Sequence, residues 1–165
     1  MHDRFLNSRG NSGFWNVHSN ELYNAAKILW NYQTINNTMT INNPLRKKIG
    51  EKIHRFHWTA IMLMGLSLET SLKGKIIKEN PLLASDKEFP KNLKNHNLVS
   101  LFDKAKISYN KDEKLLLERL TASIKWISKY PIPLEPSDFN SNDIIRSEND
   151  FVASETLRER ILKSR

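Results

Sequence analysis

The chain has no cysteine, no membrane-length apolar run and no leader-like N-terminus, and each absence excludes a class of protein. Without cysteine it can form neither a disulfide framework nor a thiolate metal site, which fits a reducing cytoplasm. The longest charge-free apolar stretch, residues 58–68, is about half of the ~20 residues that a membrane-spanning helix needs. The first residues lack the apolar core of a signal peptide. We therefore expect a cytoplasmic protein without a membrane partner.

Motifs for common catalytic and cofactor sites are also missing. The sequence contains no GxSxG, HExxH or Walker motif, and Gly10 and Gly13 lack the strand and the third glycine of a phosphate loop. His54 and His57 are three residues apart, but without suitable ligands near them in sequence a solvated or packing role is favoured over a metal pair. We predict no metal and no cofactor.

The chain does contain an uneven positive charge. Its formal charge is +8, and residues 44–129 hold 18 of the 26 Lys and Arg but 9 of the 18 Asp and Glu. A basic surface of this kind favours phosphate-bearing partners through counterion release. A solvated face that keeps the protein soluble is an equal alternative.

The hydrophobic pattern is helical along the whole chain and predicts one all-α domain. Ser19 is a good N-cap for a first helix, Pro44 suits the start of a long helix, and Pro81 prevents its continuation. No segment alternates convincingly as a strand does. The predicted helices cover residues 19–33, 44–80, 95–107, 111–130 and 150–165, with a loop at 34–44. Residues 1–18 are predicted as an N-terminal extension of a domain spanning 19–165.

The long central helix carries Glu69 and Lys73 one turn apart on an apolar stripe, with Arg55 beside Lys73 on a helical wheel. Burying two charges costs several kcal/mol unless they are paired and hydrogen-bonded, so such a pair needs partners. A surface pair is the poorest explanation. Two interpretations remain: a structural pair that determines how neighbouring helices pack, or a ligand or RNA site that includes Arg55.

His96 is the second candidate, because it lies at the predicted start of a helix and histidine titrates near neutral pH. It is either a helix-entry residue bonded to a neighbour or a proton carrier or phosphate contact.

Three segments, taken in order, resemble one known family. They are GLSLETSLK (65–73), HNLVSLFDKA (96–105) and KWISKYP (125–131). In this order they resemble the HEPN superfamily of prokaryotic helical domains, over roughly residues 20–163. The resemblance implies a bundle of four to five helices that commonly dimerises. Many members are metal-independent RNases of toxin–antitoxin, abortive-infection and CRISPR-linked systems, and others bind RNA or nucleotides without cleaving them.

Catalytic members carry an R-x(4–6)-H motif, whereas this chain has Lys91 followed by four residues and His96. His96 would match the general acid or base that assists attack by a ribose 2′-hydroxyl. Lysine supplies a charge but lacks the planar fork of arginine. The resemblance therefore implies an RNA- or nucleotide-binding module of a defence or stress-response system. The alternatives are a metal-independent endoribonuclease toxin that uses His96 with Lys91 or Arg55, and a non-catalytic, dimerising protein-interaction subunit.

The expected partners follow from the same reasoning. A central helix that is apolar on nearly every side predicts a homodimer with its interface along that helix. The resemblance adds an antitoxin or another defence-system protein as a partner.

Overall fold

The computed structural model describes residues 10–36, 38–43, 48–54, 56–84, 90–127, 129–130, 133, 135–138 and 149–164. Its helices are α1 (Ser12–Asn36), α2 (His57–Glu79), α3 (Leu98–Lys104), α4 (Lys111–Ala122) and α5 (Asp150–Lys163). Short 3-10 turns occupy Pro81–Ala84, Lys91–Leu93 and Pro136–Asp138. The predicted all-α bundle of four to five helices is confirmed.

A two-stranded hairpin between α1 and α2 differs from the prediction. Strands β1 (Thr38–Asn43) and β2 (Lys48–His54) pair antiparallel, with Thr38 opposite His54 and Ile41 opposite Glu51. The sequence analysis predicted a loop at 34–44 and helix from Pro44 onward, and both were wrong over these strands. Strand β1 contains two threonines and an isoleucine, and β2 contains two isoleucines; such β-branched residues favour extended backbone. The hairpin is an insertion in the helical bundle.

The first helix begins earlier than its predicted N-cap. Asn11 precedes α1 and its Oδ1 accepts a hydrogen bond from Gly13 N at 2.9 Å, whereas Ser19 lies buried inside the helix. Residues 12–18, predicted as an extension, are therefore helical. The side chain of Trp15 lies against Gly74 of α2, so this part of the chain packs on the bundle.

Helix α2 is the centre of the bundle, as its all-round apolar sequence predicts. It contacts the other four helices, and its side chains are buried along most of its length. Two glycines permit close approach: a Cβ at Gly65 would lie 3.0 Å from Ile124 Cδ1, and one at Gly74 would lie 2.7 Å from Trp15 Cβ. Helix α2 ends at Glu79, before the predicted stop at Pro81.

The second half of the chain forms helices where they are predicted, and local capping explains their bounds. Asn97 caps α3 by accepting from Ser100 N, and Asn110 forms a capping box with Glu113 at the start of α4. A π-helical turn, Ser123–Ile127, continues α4. Lys106 follows α3 with a φ of 55°, the left-handed conformation that often ends a helix.

The core lies where α2 meets its neighbours. Its largest fully buried side chains are Phe102, Met64, Leu68, Leu72, Ile77, Leu93, Leu98, Leu101, Leu117, Leu120, Ile124 and Leu157. Among the described residues, no helix is long and apolar enough to cross a membrane.

Candidate functional site

The charge pair that the sequence singled out is buried inside the protein. Glu69 and Lys73 lie one turn apart on α2 and are 6% and 7% exposed. Lys73 Nζ donates to Glu69 Oε1 at 2.6 Å. Because both groups are withdrawn from water, loss of either partner would leave a buried charge without its pair.

His96 joins this pair from a different part of the chain. Its Nδ1 lies 2.9 Å from Glu69 Oε2, so one carboxylate holds Lys73 with one oxygen and His96 with the other. An ionised carboxylate only accepts hydrogen bonds, so Nδ1 is the nitrogen that carries the proton and donates. The imidazole side chain is 48% exposed. In the described part of the chain, Nε2 has no hydrogen-bond partner, so it is the nitrogen that can face a ligand.

The backbone around His96 is anchored on both sides. Leu93 and Leu98 are fully buried, and Leu98 N donates to Thr121 Oγ1 of α4 at 3.1 Å. Between them, Asn97 caps α3 and its own N–H donates to Asn95 Oδ1 at 3.0 Å. The histidine therefore sits on a short segment whose two ends are tied to the core, which orients its ring before any ligand binds.

The remaining predicted site residues are not part of this contact. Lys91 lies exposed on a 3-10 turn, and no contact between its side chain and His96 or Glu69 occurs in the described structure. Arg55 lies outside the described residues. The structure thus brings together Glu69, Lys73 and His96, and leaves Lys91 at the surface a few residues along the chain.

A second polar cluster, which the sequence analysis did not identify, joins α1, α2 and α5 around Arg158. This guanidinium is 7% exposed and lies 4.2 Å from the centre of the Tyr23 ring. It donates to Ser67 Oγ at 3.2 Å and to Asn20 Oδ1. Burial lowers the pKa of Arg158, an effect that nearby Tyr23 and Glu155 oppose.

Three buried serines extend this cluster into the α1–α2 interface. Ser19 Oγ lies 2.6 Å from Ser71 Oγ and 3.0 Å from the carbonyl oxygen of Ser67, and Ser67 Oγ donates to the carbonyl of Ser19 at 2.9 Å. In the sequence, the signal that could have revealed this cluster is the presence of small polar residues on helix faces that are otherwise apolar. Their mutual hydrogen bonds satisfy buried hydroxyls, and we assign the cluster to helix packing.

Two bidentate ion pairs connect α5 to α4, one of them at the first residue of α5. Arg119 donates to Asp150 at 2.6 Å and 3.1 Å, and Arg160 binds Glu113 at 2.6 Å and 3.0 Å. The hydrogen bond from Arg160 lowers the pKa of Glu113, and the same bond raises the pKa of Arg160. Both pairs are structural links between helices that are far apart in sequence.

The structure describes the side chain of His57, one of the two histidines that lie three positions apart in the sequence. His57 is buried and its ring lies 5.5 Å from the rings of Trp30 and Trp58, which is a packing role. Across the described residues, no group of three or more His, Asp or Glu side chains is placed to hold a metal ion.

Comparison with protein-family models, with curated proteins and with solved structures gives no match. The features that bear on function are therefore the chemistry of the Glu69–Lys73–His96 cluster and the charge of its surroundings.

Proposed function

We propose that this protein is an RNA- or nucleotide-binding module of a prokaryotic defence or stress-response system, with His96 at the binding surface. The observation that carries the proposal is the hydrogen bond between Glu69 and His96. A buried carboxylate orients a half-exposed imidazole, and an oriented imidazole is suited to contact a phosphodiester or a ribose hydroxyl. The defence or stress context comes from the resemblance to HEPN domains.

The charge of the neighbouring surface supports a phosphate-bearing ligand. Lys91 and Lys94 precede His96 and both are exposed, in the basic middle portion of the chain. Lysines beside a hydrogen-bonding side chain attract the nucleic-acid backbone and release its counterions on binding.

Binding is favoured over cleavage because, among the described residues, no cation other than the already paired Lys73 bonds to Glu69 or His96. Lys73 is buried and already bonded to Glu69, and in the described structure no arginine side chain bonds to His96 or Glu69. Cleavage requires a positive group positioned where charge develops in the transition state.

A metal-independent endoribonuclease is the second candidate, and it is favoured by the Nε2 of His96, which has no hydrogen-bond partner among the described residues. A carboxylate that bonds Nδ1 leaves Nε2 to accept a proton, as in other carboxylate–histidine pairs. His96 would take the proton of a ribose 2′-hydroxyl, whose oxygen attacks the adjacent phosphorus. The 5′-oxygen would leave as it takes a proton from water or from the newly protonated His96, and the product would carry a 2′,3′-cyclic phosphate.

A binding experiment tests the main proposal. Fluorescent single-stranded RNA of mixed sequence is titrated with wild-type protein in EDTA at several salt concentrations. Two lost phosphate contacts reduce the salt slope by about 1.4 for a single strand, so the Lys91→Ala, Lys94→Ala double variant should show that loss. Lys163→Ala on α5, also exposed, is the matched control and should bind as wild type does.

The same reaction separates the candidates. Salt-sensitive binding without cleavage, weakened by His96→Ala, supports the binding module. Cleavage in EDTA that His96→Ala abolishes would establish the endoribonuclease instead. Absence of RNA and nucleotide binding at ~50 mM salt, where phosphate contacts are strongest, would contradict both and favour a protein-interaction subunit.

A further inference from the structure

The position of His96 depends on contacts with two different helices. Glu69 of α2 holds the ring, since its Oε2 lies 2.9 Å from His96 Nδ1. Thr121 of α4 holds the backbone two residues further along, since its Oγ1 accepts a hydrogen bond from Leu98 N at 3.1 Å. The ring and the backbone are thus held by separate elements, and the ring bond forms while those elements keep their relative position.

Thr121 is suited to this contact because its hydroxyl both donates and accepts. It donates its one proton to the carbonyl oxygen of Leu117, 2.8 Å away on the preceding turn of α4, and this leaves a lone pair for the N–H of Leu98. Thr121 is 9% exposed and Leu98 is fully buried. The Leu98 N–H is among the first four of α3, which have no acceptor within the helix. Without the hydroxyl, this buried donor would lose its partner.

The same two helices contact each other one turn away from the carboxylate. Gly65 precedes Glu69 by one helical turn, and a Cβ at Gly65 would lie 3.4 Å from the carbonyl oxygen of Leu120, the neighbour of Thr121. The contacts therefore form a closed loop through α2, the segment before α3, and α4, whose three chain segments are each no longer than about one helical turn. Because packed elements of this length do not deform freely, a displacement at one contact is passed to the others.

We propose that Thr121 is a positioning residue for His96: its hydroxyl holds the chain at Leu98 so that the imidazole meets Glu69 and leaves Nε2 available to a ligand. The bond from Nδ1 to Glu69 measures 2.9 Å, and such bonds are lost beyond about 3.5 Å. A shift of the segment by about 1 Å is therefore enough to release the ring. The consequence for binding rests on the proposed function: ligand affinity at His96 depends on a buried hydroxyl of α4.

Nuclear magnetic resonance of the histidine ring nitrogens tests the positioning without any ligand. A ring that donates from Nδ1 to a carboxylate is fixed in one tautomer, whereas an unconstrained ring is not. Comparison with His96→Ala assigns the signals among the five histidines, and the protein unfolded in urea at the same pH is the unconstrained reference. Thr121→Val lacks the hydroxyl and should move the His96 signals toward that reference. Thr121→Ser keeps the hydroxyl and should retain the wild-type signals.

Two control variants separate positioning from general destabilisation. Thr156 on α5 makes the same kind of bond to its preceding turn, from Oγ1 to the carbonyl of Val152 at 3.3 Å, but it is exposed. Thr156→Val should therefore leave the His96 signals unchanged. Ile161 is fully buried on α5, so Ile161→Val should lower the melting temperature without moving those signals.

RNA binding is measured on the same proteins, with fluorescent single-stranded RNA in EDTA. Thr121→Val should weaken binding by about three- to tenfold, the contribution of one neutral hydrogen bond, and Thr121→Ser should bind as wild type does. If Thr121→Val does not fold, Thr121→Ala takes its place in both measurements, because alanine also lacks the hydroxyl and has a higher helix propensity.

The outcomes separate this proposal from the proposed function. A folded Thr121→Val protein with wild-type His96 signals, or a Thr121→Ser protein that loses them, would overturn the role of Thr121. Signals that move as far in Ile161→Val would also overturn it, because stability alone would then control the ring. Absence of RNA binding by the wild type would contradict only the proposed function, since the ring signals still test Thr121. Ring signals that move while RNA affinity stays unchanged would support Thr121 as a positioning residue and contradict the binding role of His96.

Discussion

Removing the carboxylate of Glu69 tests the central feature of the site. Glu69 bonds Lys73 with one oxygen and His96 with the other, so Glu69→Ala takes away both contacts at once. Lys73 would then remain as a buried ammonium without its carboxylate. Lys73→Met leaves Glu69 with His96 as a partner, and His96→Ala leaves the buried Glu69–Lys73 pair intact. The three substitutions should therefore differ in cost.

The structure predicts the order and the magnitude of these costs. Breaking a buried pair from one side costs about 3–5 kcal/mol, so Glu69→Ala should lower the melting temperature by roughly 6–20 °C for a chain of this length. Lys73→Met should lower the free energy of unfolding by about 1–3 kcal/mol. His96→Ala should lower it by about 0.5–1.5 kcal/mol, because the imidazole ring is half-exposed. Combining Glu69→Ala with Lys73→Met removes both charges, so the double variant should be about 2 kcal/mol more stable than Glu69→Ala alone.

Urea denaturation followed by circular dichroism measures all four variants, and an unchanged m-value shows that the midpoints report stability alone. The double variant and its two single variants form a cycle that isolates the coupling energy. Two results would refute the reasoning: a Glu69→Ala protein within about 1 kcal/mol of wild type, or a double variant no more stable than Glu69→Ala. If Glu69→Ala melts like wild type but loses RNA binding, the pair acts in ligand binding rather than in folding.

Three further predictions concern features outside the cluster. Gly74→Ala should destabilise the fold by about 1–3 kcal/mol, because its Cβ would lie 2.7 Å from Trp15 Cβ; thermal melting measures it, and unchanged stability would contradict this packing. Lys106→Gly should stabilise by about 1 kcal/mol, because Lys106 has a φ of 55°, and a lower urea midpoint would be the opposite result. The lowered pKa of Glu113 gives stability that is present above its ordinary value and is lost as pH falls through the folded value. Arg160→Gln should therefore flatten the decline of stability below about pH 4.5, and an equally steep decline would show that this pair does not contribute.

The sequence alone determined the features that depend on local geometry. A helical repeat places residues four apart on one face, so the Glu69–Lys73 contact and the central position of α2 followed from spacing and all-round apolarity. The helical repeat of apolar residues likewise located α3 and α4, and Pro81 located the end of α2. The hairpin was missed because its short Thr- and Ile-containing strands lack the alternation on which strand prediction depends.

Only the tertiary structure decided the contacts between distant segments. The bond between His96 and Glu69 spans 27 positions, and Arg158 reaches Ser67 across 91 positions. Such contacts depend on how the helices pack, which is set by many side chains together, including the glycines that let α1 and α4 approach α2. The sequence named the Glu69–Lys73 pair and His96 as two separate candidates; the packing of α2 against the segment before α3 made them one cluster and left Lys91 outside it.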